Sequence, residues 1–209
     1  MDDFVPEARI EARAAQTLRA YRRETSRRIK PPVDVDLVAE LLFGFRWDYE
    51  RLDDDETLAA LHARDRIVKL NETHADLFGK KPGLERYTKA HEAGHWMLHV
   101  DQTVMGLGTL SGLSQEERIL CRSGNSKARI ETQADLFAAH LLMPEDLFVS
   151  AARQHDLQSW ASLYDLADTF DVTISALKIR LERLDLIHVD ESGQIHRSEA
   201  ERHGQRSLF

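Results

Sequence analysis

The sequence predicts an α+β fold: a small mixed sheet against a buried helix, followed by a small helix-turn-helix-like helical module. Three short strand-like segments crowd between residues 45 and 71. A helix over Leu84 to Val100 carries Tyr87, Ala90, Ala93, Gly94, Met97 and Leu98 and is apolar on most sides, as buried helices are. From Ser159 onward two short amphipathic segments flank a tight turn at Asp171-Val172, the pattern of two helices joined at an angle.

The chain of 209 residues has room for one sizeable domain plus an appendage. Its formal net charge of −8 argues against broad affinity for nucleic acid. Cys121 is the only cysteine, so no disulfide framework forms within the chain and a reducing, cytoplasmic setting is expected. Met1-Asp2-Asp3-Phe4 is acidic and lacks the apolar core of a signal peptide, and no apolar run reaches membrane-spanning length.

In chain order, Glu7 to Arg23 reads as a helix with Ile10, Ala14, Leu18 and Tyr21 as its apolar stripe. The basic end, Arg19 to Lys30, suits a solvated helix terminus. Pro31-Pro32 breaks the chain. Asp34 or Asp36 can cap a short helix that runs to Leu42 and stops at Gly44. Strands are expected at Phe45 to Glu50, Thr57 to His62 and Arg66 to Asn71, the last two joined as a hairpin through Ala63-Arg64-Asp65. The acidic run Asp53 to Glu56 reads as a solvated loop. His74 to Leu84 reads as a loop punctuated by Gly79, Pro82 and Gly83. A long Gly- and Ser-rich connection follows from Thr103 to Lys127, with a strand-like piece at Arg118 to Arg122. Such a connection suits a lid. A helix is expected from Glu131 to Met143, ended by Pro144, with Ala134, Phe137, Ala138, Leu141 and Leu142 inward. Thr173 can cap a helix to Leu184, and Leu186 to Asp190 with Gln194 to Arg197 can pair as a wing-like hairpin. The tail from Ser198 reads as frayed.

His91-Glu92-Ala93-Gly94-His95 has the H-E-x-x-H pattern. Two histidines four positions apart lie about 40° apart around a helix and about 6 Å along it, so both rings reach one metal ion. Glu92 projects from nearly the same turn, placed as a carboxylate base without being a ligand. A catalytic zinc takes three protein ligands. His99 lies about 12 Å along an unbroken helix from His91, too far to be the third. Glu131 is the better third ligand, on a helix that a long connection can return to the first. Asp135, one turn on, can accept the other ring N–H of a ligating histidine and so fix its orientation. Tyr87, His140 and His155 are candidate donors to a developing oxyanion. Cys121 reads as a small buried hydrophobe, with a thiolate cap on the metal as the alternative.

Arg86-Tyr87-Thr88-Lys89-Ala90-His91-Glu92-Ala93-Gly94-His95-Trp96-Met97-Leu98-His99 resembles the motif helix of the ImmA/IrrE metallopeptidases. Glu131 to Pro144 is similar to that family's second motif, and the helix pair around Ala167 to Leu184 resembles the segment after it. The resemblance covers about residues 32–187. It implies a gluzincin-like, zincin-type peptidase domain in which His91, His95 and Glu131 hold zinc, Glu92 is the base and Asp135 supports a ligand. Manganese or iron also suits a His/carboxylate set. The resemblance further implies an endopeptidase that cleaves a helix-turn-helix repressor encoded nearby, in stress or mobile-element regulation. The chain departs from many members in having no repressor-type DNA-binding domain before the peptidase and no room for a C-terminal sensor domain.

The expected organisation is an N-terminal helix (1–31), a metallopeptidase domain (32–150), the helix-turn-helix-like module (151–197) and a tail (198–209). The alternative is a non-catalytic regulatory or antitoxin-like protein that uses zinc only to organise its scaffold. DNA binding through Thr173 to Leu184 is weaker still, because Lys178, Arg180 and Arg183 are expected to face out among acids such as Glu182 and Asp185, and the net charge opposes it.

Overall fold

A computed structural model describes residues 5–100 and 125–197. The expectations for a lid at 103–127, a strand at 118–122, a role for Cys121 and a frayed tail fall wholly or almost wholly outside these residues.

Helix α1 (Glu7–Thr25) buries Ile10, Ala14, Leu18 and Tyr21, the stripe that its spacing predicts. Helix α2 (Val35–Phe43) begins where the Asp34 carboxylate accepts from the Leu37 N–H, and it ends at Gly44 with φ 69°. Strands β1 (Arg46–Glu50), β2 (Ala59–His62) and β3 (Ile67–Asn71) form one sheet in the order β1-β3-β2. β2 and β3 are an antiparallel hairpin, as expected, while β1 runs parallel to β3, so the sheet is mixed. Leu61, Val68 and Leu70 are buried on the core side. Asn71 is fully buried at the end of β3. Its amide donates to the carbonyls of Asp54 and Thr57 and accepts from the Leu52 and Thr73 N–H groups. One side chain thus shapes the whole β1–β2 connection, a role that the sequence pattern did not reveal. The carboxylate of Asp54 caps the same turn through Glu56 and Thr57.

The loop expected over His74 to Leu84 is instead helical. A single 3-10 turn leads into α3 (Ala75–Lys80), and α4 (Pro82–His99) starts immediately after. Burial of Phe78 outweighs the weak helix preference of Gly79. Pro82 is a helix starter rather than punctuation, since a first-turn proline has no N–H to lose.

Helix α5 (Asn125–Leu142) lies against both α4 and α1. Gly94 makes the first contact close. A Cβ there would stand 2.9 Å from the Ala134 carbonyl oxygen and 3.2 Å from the Phe137 Cβ. Pro144 caps α6 (Glu145–Ala152). Helices α7 (Trp160–Phe170) and α8 (Ile174–Arg183) follow, capped by Ser159 and Thr173, with Asp171 between them at φ 48°. A short antiparallel hairpin, β4 (His188–Val189) and β5 (Ile195–His196), stands where the wing is expected. The α+β class holds: a small mixed sheet, a buried central helix and a helical module share one hydrophobic core that runs from Ile10 to Ile195. Among the described residues no helix is long and apolar enough to cross a membrane.

Candidate metal centre

The site sits where α4 and α5 meet beneath the sheet. α4 brings His91 and His95 to one face, one turn apart, with His95 and Glu92 buried. α5 brings Glu131 and Asp135 to meet them. The His91 and His95 Nε2 atoms are 3.0 Å apart, and Glu131 Oε2 is 3.1 Å from the first and 3.4 Å from the second. Ligands at zinc's bond lengths of 2.0–2.1 Å, spread tetrahedrally, stand about 3.3 Å from one another. The triangle therefore has the size of one face of a zinc coordination shell.

The hydrogen bonding agrees. His91 Nδ1 lies 2.8 Å from Asp135 Oδ1 and donates its proton there, leaving the Nε2 lone pair turned toward Glu131 and His95. Lone pairs converging on one point repel one another unless a cation or proton lies between them. Without a metal a proton serves. Burial acts to lower the His91 pKa, yet hydrogen bonds to Asp135 and Glu131 lift it to about 10. The same two imidazoles hold the Glu131 carboxyl well below the usual carboxylate range. These three residues fit a divalent cation, and they are the one such group among the described residues. Which metal binds is not fixed by the donor set.

Glu92 lies beside this triangle, outside it. Burial raises its pKa, against the pull of His95 and His91, and its carboxylate accepts a hydrogen bond from the Leu61 backbone N–H on β2. His99 packs against His95, with ring centroids 5.6 Å apart and planes tilted by 53°, and is not part of the ligand group. Of the three candidate oxyanion donors, only Tyr87 lines the cleft over the site. Its hydroxyl donates to the Asp135 carbonyl at 3.2 Å. His140 faces α1, 3.7 Å from Glu7 and Glu11, and His155 bonds the Ala151 carbonyl.

The cleft itself, about 1440 Å³, has walls that sequence reasoning missed. β2 and the β1–β2 connection form one. Thr173, Ser175, Ala176 and Ile179, at the start of α8, form part of another. No motif marks them, because their place depends on how the module docks. Gly83 abuts the backbone of Asp171 and Val172, where a Cβ would stand 2.9 Å from the Asp171 carbonyl oxygen. Arg86 pairs with the Asp171 carboxylate at 2.7 Å and donates to the Val33 carbonyl.

Residues 79–182 match the family model of the IrrE N-terminal-like domain, Peptidase_M78. Through these residues the chain belongs to the IrrE N-terminal-like family. Both motif helices and all but the last residue of the α7–α8 pair fall inside the matched stretch, while the three-stranded sheet lies before it. A solved Mycobacterium tuberculosis transcriptional regulator shares this IrrE-like fold at 18% identity, with a TM-score of 0.53 over 88% of this chain and 54% of that one. The chain thus spans about half the length of that structure, and the likeness speaks to fold. A search of curated proteins finds no match.

Proposed function

We propose that the protein is a zinc-dependent endopeptidase acting on a specific protein substrate, a helix-turn-helix repressor encoded nearby. The observation that carries the reading is Glu92. A metal that only organised a scaffold would need His91, His95 and Glu131. It would have no use for a buried carboxylate beside them, raised in pKa and steadied by Leu61.

In this reading His91, His95 and Glu131 hold the ion, which supplies Lewis acidity toward a peptide carbonyl. Asp135 keeps the His91 ring in the tautomer and orientation that present Nε2. Glu92 takes a proton from the attacking water and passes it to the leaving amine. A carboxyl whose pKa is raised by burial is the more able to hold that proton and hand it on. DNA binding fares worse, since the leading residues of α8, which would enter a major groove, face the cleft instead.

The test combines elemental analysis with cleavage of neighbouring repressors. One zinc in both wild type and Glu92→Gln, with cleavage by wild type alone, is expected. One zinc in both with no cleavage of any neighbour would favour the scaffold reading or a latent enzyme awaiting its signal. No metal in either would remove the site assignment.

A further inference from the structure

Ile179 is 52% exposed although it lies on a helix whose neighbouring apolar residues, Leu177 and Leu181, are completely buried. Core packing therefore does not explain it. It lines the cleft over the metal centre together with Ala176, one turn earlier on the same face of α8. Leu84, half-buried, joins them from α4, two turns before His91 and on the same side of that helix. Thr173 and Ser175 complete this part of the lining, so it carries no charge. Elsewhere the lining is charged with both signs, through Arg51, Asp54, Arg64 and Lys69.

We propose that Leu84, Ala176 and Ile179 form a specificity subsite that takes an apolar side chain of a peptide bound in extended conformation. The inference rests on the peptidase reading above and adds what the substrate must present. The extended form follows from the opposite wall. Among the described residues β2 pairs with no strand but β3, and on its other edge Glu92 takes the Leu61 N–H, so a peptide strand added there pairs with the backbone groups on either side of that bond. That edge borders the cleft along Ala59 to His62, and Leu61 of the same strand holds Glu92. A peptide added there sends alternate side chains toward and away from the sheet surface. The cleft exceeds the volume of ordinary small-molecule sites and has room for several residues.

The subsite is also rigid. Its position is fixed to the metal helix by Gly83 against the Asp171–Val172 backbone and by the Arg86–Asp171 ion pair. Thr173 caps the helix that carries it.

The experiment measures binding, not turnover, on the full zinc-loaded chain. The probes are acetohydroxamate and two series of alanine tetrapeptides with a hydroxamate at either end, each series moving a single leucine through the peptide. In wild type, leucine at one position is expected to tighten binding about tenfold over the all-alanine peptide, or about 1.4 kcal/mol. Ile179→Asp should erase that gain while leaving acetohydroxamate affinity unchanged, and Ile179→Leu should retain it. Because Ile179 is half-exposed, neither substitution disturbs the core. No gain at any position in wild type, or a gain that survives Ile179→Asp, would overturn the subsite but leave the metal centre standing. Failure of acetohydroxamate to bind the loaded protein would overturn both.

Discussion

Asp135 is the most exposed member of the site, yet its hydrogen bond sets how His91 would meet a metal ion. Its carboxylate accepts the Nδ1 proton at 2.8 Å and so turns the Nε2 lone pair inward. Asp135→Asn preserves shape but replaces a charged acceptor with an amide. Zinc affinity is expected to fall tenfold to a hundredfold, read by competition against a chelator of known strength. An unchanged affinity would show that α4 orients the ring unaided. His91, Glu92 and His95 were legible in the sequence because helical spacing alone brings them together. Glu131 and Asp135 needed a second helix whose approach the sequence only suggested. Leu61 was not legible, because a backbone N–H leaves no trace in residue identity. Ile179 was equally hidden, since its spacing is that of any apolar helix position.

At the scale of elements, the spacing between α4 and α5 sets the ligand triangle. Gly94 permits that spacing, and Gly94→Ala tests it. Alanine improves helix propensity by about 1 kcal/mol. Its Cβ, 2.9 Å from the Ala134 carbonyl oxygen, would have to push backbone aside, which costs about 1–3 kcal/mol. The clash is expected to win. Tm should drop by a few degrees and zinc should bind more weakly, both measurable by calorimetry. A rise in Tm with unchanged zinc affinity would mean that the helices can separate freely. The misread stretch from His74 to Leu84 belongs to this scale as well. Glycine and proline mark loops on average, but Pro82 at a helix start and Gly79 behind a buried Phe78 serve helices here.

Across the whole molecule, a set of charges gathers where α1, α5, α6 and α8 converge, with Arg180 and His140 buried beneath exposed carboxylates. Arg183 holds the Glu7 carboxylate at 2.8 and 2.9 Å, and Glu11 shares a hydrogen bond with Glu145. Arg180 is buried against them, and His140 stands 3.7 Å from Glu7 and Glu11. Burial, with the Arg180 charge adding to it, lowers the His140 pKa to about 4. Between pH 6.5 and 4 the unfolded chain therefore takes up a proton at this ring that the folded chain refuses. The stability tied to the neutral ring is complete above pH 6.5 and is lost as pH falls toward 4, by on the order of 3 kcal/mol. The raised pKa of Glu11 acts in the opposite direction, so the comparison must be with His140→Gln. Denaturant unfolding at pH 7, 5 and 4 should show a shallower acid slope in that variant. Parallel slopes would remove His140 as the cause.

Helix α5 presents Glu131 and Asp135 to the metal helix, while α1 packs along it as well. Arg13 of α1 also donates to the Met97 carbonyl near the end of α4. The N-terminal helix is thus a brace for both halves of the coordination shell. If these residues hold an ion, whatever loosens that helix would weaken the hold, and by reciprocity the ion would tighten the grip on it. A protein or small molecule that grasped the first helix could therefore change metal occupancy from a distance without entering the cleft.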